Sequence, residues 1–171
     1  MMKLDDKVIA AIVERIATLL SEREHAVYTT TLPALASPVE LGVLARHGKM
    51  MVESVDANSI LALARCQTET PEVKHLLKVV SFGVEVTLVI HPSLCSMLPV
   101  KALTNLPFIW QTKDGQPVVL WGRSVLAYGD VCQLTHSVVV TRPNTIVTAM
   151  AKDVMTKNHI IWSCSEDTLW I

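Results

Sequence analysis

The sequence predicts an α/β domain: a single Rossmann- or flavodoxin-like mixed sheet flanked by helices, with an added β-hairpin and an amphipathic N-terminal helix. Three observations carry this. Helix-spaced apolar residues alternate along the chain with short β-branched runs, the pattern of sheet-and-helix layers. The run Val84 to Ile90 is apolar on both faces and directly follows a helix, which suits the centre of a sheet covered on both sides. Asp114-Gly115 separates two apolar runs, a strong hairpin signal. At 171 residues, half of them hydrophobic, the chain has the size of one domain. We divide it into an N-terminal amphipathic helix (1–25), an α/β domain (26–164) and a loosely held tail (165–171).

In the first helix, Asp5 to Arg23, Val8, Ile9, Ile12, Val13, Ile16, Leu19 and Leu20 recur at three- and four-residue intervals. Asp5 and Asp6 suit the positive end of its dipole. Either it packs on the domain core, or it is a docking helix whose face is Val8, Ile12, Ile16 and Leu19; a polar Thr29 to Ser37 hinge would permit the second. Val27 to Leu32 is a short strand or a linker. Lys49 to Val55 reads as a strand, and Asp56 as the N-cap of a helix from Ala57 to Arg65.

The next helix opens on Thr70 as cap and Pro71 at its first position, and closes before Gly83. Its apolar stripe is Val73, Leu76, Leu77 and Val80. After the Val84 to Ile90 strand, Pro92 and Pro99 each open a short helix. Phe108 to Thr112 and Pro117 to Trp121 form the hairpin. Val125 to Leu134 reads as helical, and Val138 to Thr141 as a strand. Thr148 caps a helix from Ala149 to Lys157 with Asn158 as a left-handed stop, and His159 to Ser163 is the last strand.

Composition narrows the function. Charged residues are 18% and the net charge is -1. Nucleic acid is therefore not an expected partner, because no basic stripe exists to neutralise phosphates. No run reaches the roughly 18 apolar residues of a membrane span, and Asp5, Asp6 and Lys7 do not resemble the start of a signal peptide. A mean hydropathy of +0.38 is high for a soluble monomer, and so implies a well-buried sheet or a partner over apolar surface. Cys66, Cys95, Cys132 and Cys164 form no CxxC pair and read as buried small hydrophobes of a reducing compartment.

Chemistry is sparse. Six glycines, Gly42, Gly48, Gly83, Gly115, Gly122 and Gly129, form neither GxGxxG nor a Walker loop. Thr148 opens the one helix N-terminus considered for a phosphate, against its plainer role as a cap. His91 at the end of the central strand, with Cys95 four residues on, is the nearest approach to a metal pair, and no further ligand accompanies it. His47, His75, His136 and His159 are scattered. Asp130 and Asp153 lack a partner for acid–base work, and Asp153 lies beside Lys152 and Lys157. No catalytic residue, metal ligand or cofactor is assigned.

One set of motifs goes further. FGVEVTLVIHPSL (Phe82 to Leu94), LPVKAL (Leu98 to Leu103), Leu106-Pro107, DGQPVVL (Asp114 to Leu120), SVLAYGDV (Ser124 to Val131) and IVTAMAKD (Ile146 to Asp153) follow one another in order. In that order they resemble the PduM family of bacterial microcompartment proteins, most strongly over Phe82 to Ile161. The C-terminal WSCSEDTLWI departs from the family pattern. The resemblance implies a non-enzymatic component for assembly or stability of a propanediol-utilisation type microcompartment in the cytoplasm, associated with shell proteins. It supplies no catalytic residues. The alternative from another class is a flavin- or nucleotide-binding enzyme of the same organelle. A homo-oligomer is compatible with either.

Overall fold

Strand β3 (Glu85–Ile90) forms because Val86, Leu88 and Ile90 alternate toward one face, where each is fully buried. In the computed structural model, which describes residues 6–166, β3 lies inside a seven-stranded sheet. Its neighbours are β2 (Lys49–Val55) and β4 (Phe108–Thr112), both parallel to it. Strand β1 (Val27–Thr31) pairs in parallel with β2 and forms one edge, so this segment is a strand and not a linker.

Beyond β4 the direction changes. The hairpin to β5 (Pro117–Trp121) is antiparallel, with Trp110 opposite Val118, and Gly115 takes a φ of +80 in its turn. On its other side β5 pairs in parallel with β7 (Val138–Thr141), and β7 with β9 (Ile161–Cys164). The hairpin is therefore not an appendage. It joins a four-stranded parallel half to a three-stranded parallel half running the other way. Val118, Val119 and Leu120 give β5 apolar side chains toward both faces, so it suits an interior position. A pair of two-residue strands, β6 (Val125–Leu126) and β8 (Ile146–Val147), forms a second small sheet. The segment read as helical from Val125 therefore begins extended, and only Tyr128–Val131 (α6) is helical.

The larger core lies on one face. Met50, Val52, Val86, Leu88, Trp110, Val118, Val138 and Val140 meet residues of α3 (Ala57–Ala64), α4 (Pro71–Ser81) and α5 (Val100–Leu103) there. A smaller core on the other face joins Val119, Trp121 and Val139 to Val131, Ala151 and Met155 of α6 and α7 (Ala149–Lys157). All four residues of β7 are buried: Val138 and Val140 join the larger core and Val139 the smaller one. Over β1 to β4 the second face stays open, and the exposed Thr29, Thr31, Glu53, Glu85 and Ile109 lie on it.

Local chemistry sets the boundaries. Asp56 accepts the Ser59 N–H at 2.8 Å. Hydrogen bonds from Ser59, the side chain's foremost and the backbone's next, hold its carboxyl below the usual carboxylate range. Thr148 accepts the Ala151 N–H at 3.3 Å and caps α7. Thr70 makes no side-chain cap bond, and Pro71 opens α4 without one. Asn158 is not the left-handed stop: its φ is -93, and His159 takes the positive φ of 55. Asn158 instead donates its side-chain amide to Leu134 O at 2.9 Å and so ties α7 to the loop before β7. The tail is held where it begins. Ser165 is buried and donates to Leu98 O at 2.6 Å, and the Glu166 N–H donates to Ser96 O. The rest of the tail lies outside the described residues.

Leu88→Ala removes a fully buried side chain at the centre of the larger core, and should cost about 2–5 kcal/mol in a reversible denaturant melt. A loss below about 1 kcal/mol would contradict its central place. Thr148→Ala should cost about 0.5–2 kcal/mol. Thr148→Ser keeps the cap and should match the parent in the same melt.

Candidate docking surface

The first helix, α1 (Asp6–His25), is about 30 Å long at 1.5 Å per residue. Every residue from Lys7 to Glu22 is exposed. Its apolar face is half in solvent: Val8 50%, Ile12 47%, Ile16 51% and Leu19 47%, with Ile9, Val13 and Leu20 similarly open. The four residues read from the sequence as one face thus lie on one exposed stripe of a helix that meets the domain only near its C-terminal end.

That junction is tight. The Gly48 N–H donates to Arg23 O at 2.6 Å. A Cβ on Gly48 would lie 2.7 Å from the same oxygen, so only glycine fits there. The Arg23 guanidinium donates through Nε to Leu44 O at 3.3 Å and through Nη2 to Phe82 O at 3.4 Å. These bonds fix the helix to α2 (Leu41–Arg46) and to the residue that ends α4. Beside them opens a groove of about 340 Å³ between α2 and α4, lined by Val39, Leu41, Leu44, Val79 and Phe82 among others. Leu41 is 66% exposed and Phe82 44%. The sequence reading missed both. Leu41 follows Glu40 in a segment without clear periodicity, and Phe82 falls one residue past the end of α4, outside its stripe.

Among the described residues, those considered for chemistry do not gather into one cluster, although His136 and His159 come side by side. The exposed His91 ring accepts from the Ser93 N–H at 3.3 Å and lies 2.7 Å from Ser93 Oγ, so it caps the turn Pro92–Met97. Cys95 is buried, and burial pushes its thiol pKa up, away from the reactive thiolate. Cys66 and Cys164 are exposed and Cys132 is half-buried, against the expectation of four buried cysteines. Cys66 falls in the turn closing α3 with a φ of 50, and Cys164 ends the edge strand β9. His75 Nδ1 lies 2.8 Å from Leu35 O, His47 Nδ1 lies 2.9 Å from Val43 O, and the His136 and His159 rings stack at 5.2 Å.

Asp130 accepts the Ala127 N–H at 2.9 Å and holds the first turn of α6. Asp153 is exposed on α7, whose Lys152 lies 5.5 Å from the Trp162 ring centroid. Among the described residues no three His, Cys, Asp or Glu side chains are placed to share a metal ion, and no helix is long and apolar enough to cross a membrane.

The fold and the outlying helix define a small α/β protein with an uncovered amphipathic arm. A family model, PDU-like (propanediol utilisation), matches residues 11–161. The chain belongs to this family, the family of PduM. A relative from Salmonella typhimurium, "Bacterial microcompartment assembly protein PduM", is 29% identical over 157 residues, 92% of this chain and 96% of that protein. A protein of the same name from Citrobacter freundii is 23% identical over the same shares. No solved structure matches significantly.

Gly48→Ala should destabilise the protein by about 1–3 kcal/mol, because the added methyl must displace the Arg23 carbonyl. A urea melt checks this, and an unchanged midpoint would show that α1 is not seated on Gly48.

Proposed function

We propose that the protein is a non-catalytic component of a bacterial microcompartment in the cytoplasm, required for assembly or stability of the organelle and associated with its shell proteins. Its partner-binding surface is the α1 face of Val8, Ile12, Ile16 and Leu19. The observation that carries this reading is the exposed apolar arm, in a chain aligned over 92% of its length with proteins named for microcompartment assembly. An isolated helix of this length is marginal in water and gains stability when its apolar face is covered. A helix laid in a groove, anchored at positions three and four residues apart, is a recurring mode of protein recognition. The backbone contacts of His47, His75 and His91 and the cap roles of Asp130 and Thr148 fit a protein that binds rather than reacts.

Two experiments test this. A clean deletion should give malformed or unstable microcompartments, whereas normal shells of normal composition would refute the assembly role. Ile12→Glu with Ile16→Glu places two charges on the exposed face. Measured at a protein concentration too low for α1 to be covered by any partner, the melt should stay within about 0.5 kcal/mol of the parent, as for other surface substitutions, while the protein leaves the microcompartment fraction. A large drop in melting temperature would make the face part of the folded core and refute the docking role.

A further inference from the structure

We infer that the apolar face of α1 is covered by α1 of a second copy of this chain, the two helices running antiparallel. The inference rests on the proposed reading of α1 as a partner-binding surface and names the partner. In heptad terms, Ile9, Ile12, Ile16, Leu19 and Arg23 occupy the seam positions of a two-helix pair. Val13 and Leu20 flank the seam on one side, and Arg15 and Glu22 flank it on the other.

Charge decides the alignment. In a parallel pair, Arg15 would face an apolar Leu20. In an antiparallel pair centred near Val13 and Glu14, each Arg15 would face its own copy across the two-fold axis, and Glu22 would face Val8. One alignment, centred near Ala17 and Thr18, sets each Arg15 against the second copy's Glu22, each Val13 against Leu20 and each Ile16 against Leu19. Apolar flank then meets apolar flank, and unlike charges meet on the other side.

The structure supplies the rest of the surface. Arg23 ends the seam and donates to Leu44 O and Phe82 O, so the seam faces the α2–α4 groove where α1 joins the domain. In the chosen alignment Ile12 comes level with the second copy's Arg23. The turns before it, bearing Val8 and Ile9, run past that arginine toward the second copy's exposed Leu41 and Phe82. Seven half-exposed α1 residues with Leu41 and Phe82 offer on the order of 700 Å² per copy, close to the roughly 800 Å² per partner of a stable interface. The product is a two-headed unit with one α/β domain at each end of a helical pair. Such a unit presents every domain surface twice, and two contacts on one particle bind more tightly than one.

Sedimentation equilibrium of the purified full chain tests this. It should be a dimer at micromolar concentration. Arg15→Glu and Glu22→Lys should each weaken the dimer about tenfold, since each turns two attractive contacts into repulsive ones. Neither harms the helix itself: Arg and Glu are both good helix formers, and Lys suits the last turn. The Arg15→Glu, Glu22→Lys double variant should return to the parent affinity, as should an equal mixture of the two single variants. Positions 15 and 22 are two helical turns apart in one chain, so such rescue requires contact between chains. A monomer across the concentration range, or a double variant as weak as the singles, would overturn the inference. If that monomer were also lost from microcompartments on Ile12→Glu with Ile16→Glu, the docking role of α1 would stand with another partner.

Discussion

The hairpin between β4 and β5 is the constraint on which the architecture turns. Asp114-Gly115 reverses the chain, so the strands after it run opposite to those before it. The earlier helices, α3 to α5, build the larger core on one face. The later ones, α6 and α7, build the smaller core on the other, beneath β5 and β7 alone. A parallel sheet is usually covered on both faces. Here, among the described residues, no helix covers the second face of β1 to β4, which carries Thr29, Thr31, Glu53 and Glu85; Lys49 and Glu85 pair across it at 3.9 Å.

The same division explains why α1 finds no berth on the domain. The face with apolar depth is already filled by α3 to α5, and the open face is mixed, its exposed Val27 and Ile109 set among Thr29, Thr31, Lys49, Glu53 and Glu85. What remains is an end-on seat at Gly48, made by a backbone bond and by Arg23. Such a seat fixes the direction of the helix without covering its sides. Seven large apolar side chains therefore stay in solvent, and the positive mean hydropathy of the chain traces in part to them. An arm of this kind suits a protein whose role is to hold other proteins together, which is the reading we propose.

Much of this was legible in the sequence, because local signals and burial agreed. Lys49 to Val55, Val138 to Thr141, both hairpin strands and the Thr148 cap stand where their residues place them. What could not be read was relational. Nothing in PVVLW says that β5 pairs with β7 as well as β4, since pairing depends on strands distant in sequence. Thr70 has the right chemistry for a cap and does not use it, and His159 rather than Asn158 takes the left-handed position. The amphipathic pattern of α1 was plain, but periodicity reports only that a face is apolar, not what covers it. Leu41 and Phe82 escaped notice because their exposure follows from how α2 and α4 meet.

The central claim is that the α1 face is open in the free chain and covered in the assembly. Amide hydrogen exchange along α1 tests it most directly. In purified protein diluted below the concentration at which α1 pairs with a second copy, the amides from Val8 to Leu20 should exchange rapidly while those of β3 and β7 are protected, and in isolated microcompartments the α1 amides should become strongly protected. Protection of α1 equal to that of β3 in the dilute protein, or unchanged rapid exchange in the microcompartment, would contradict the account.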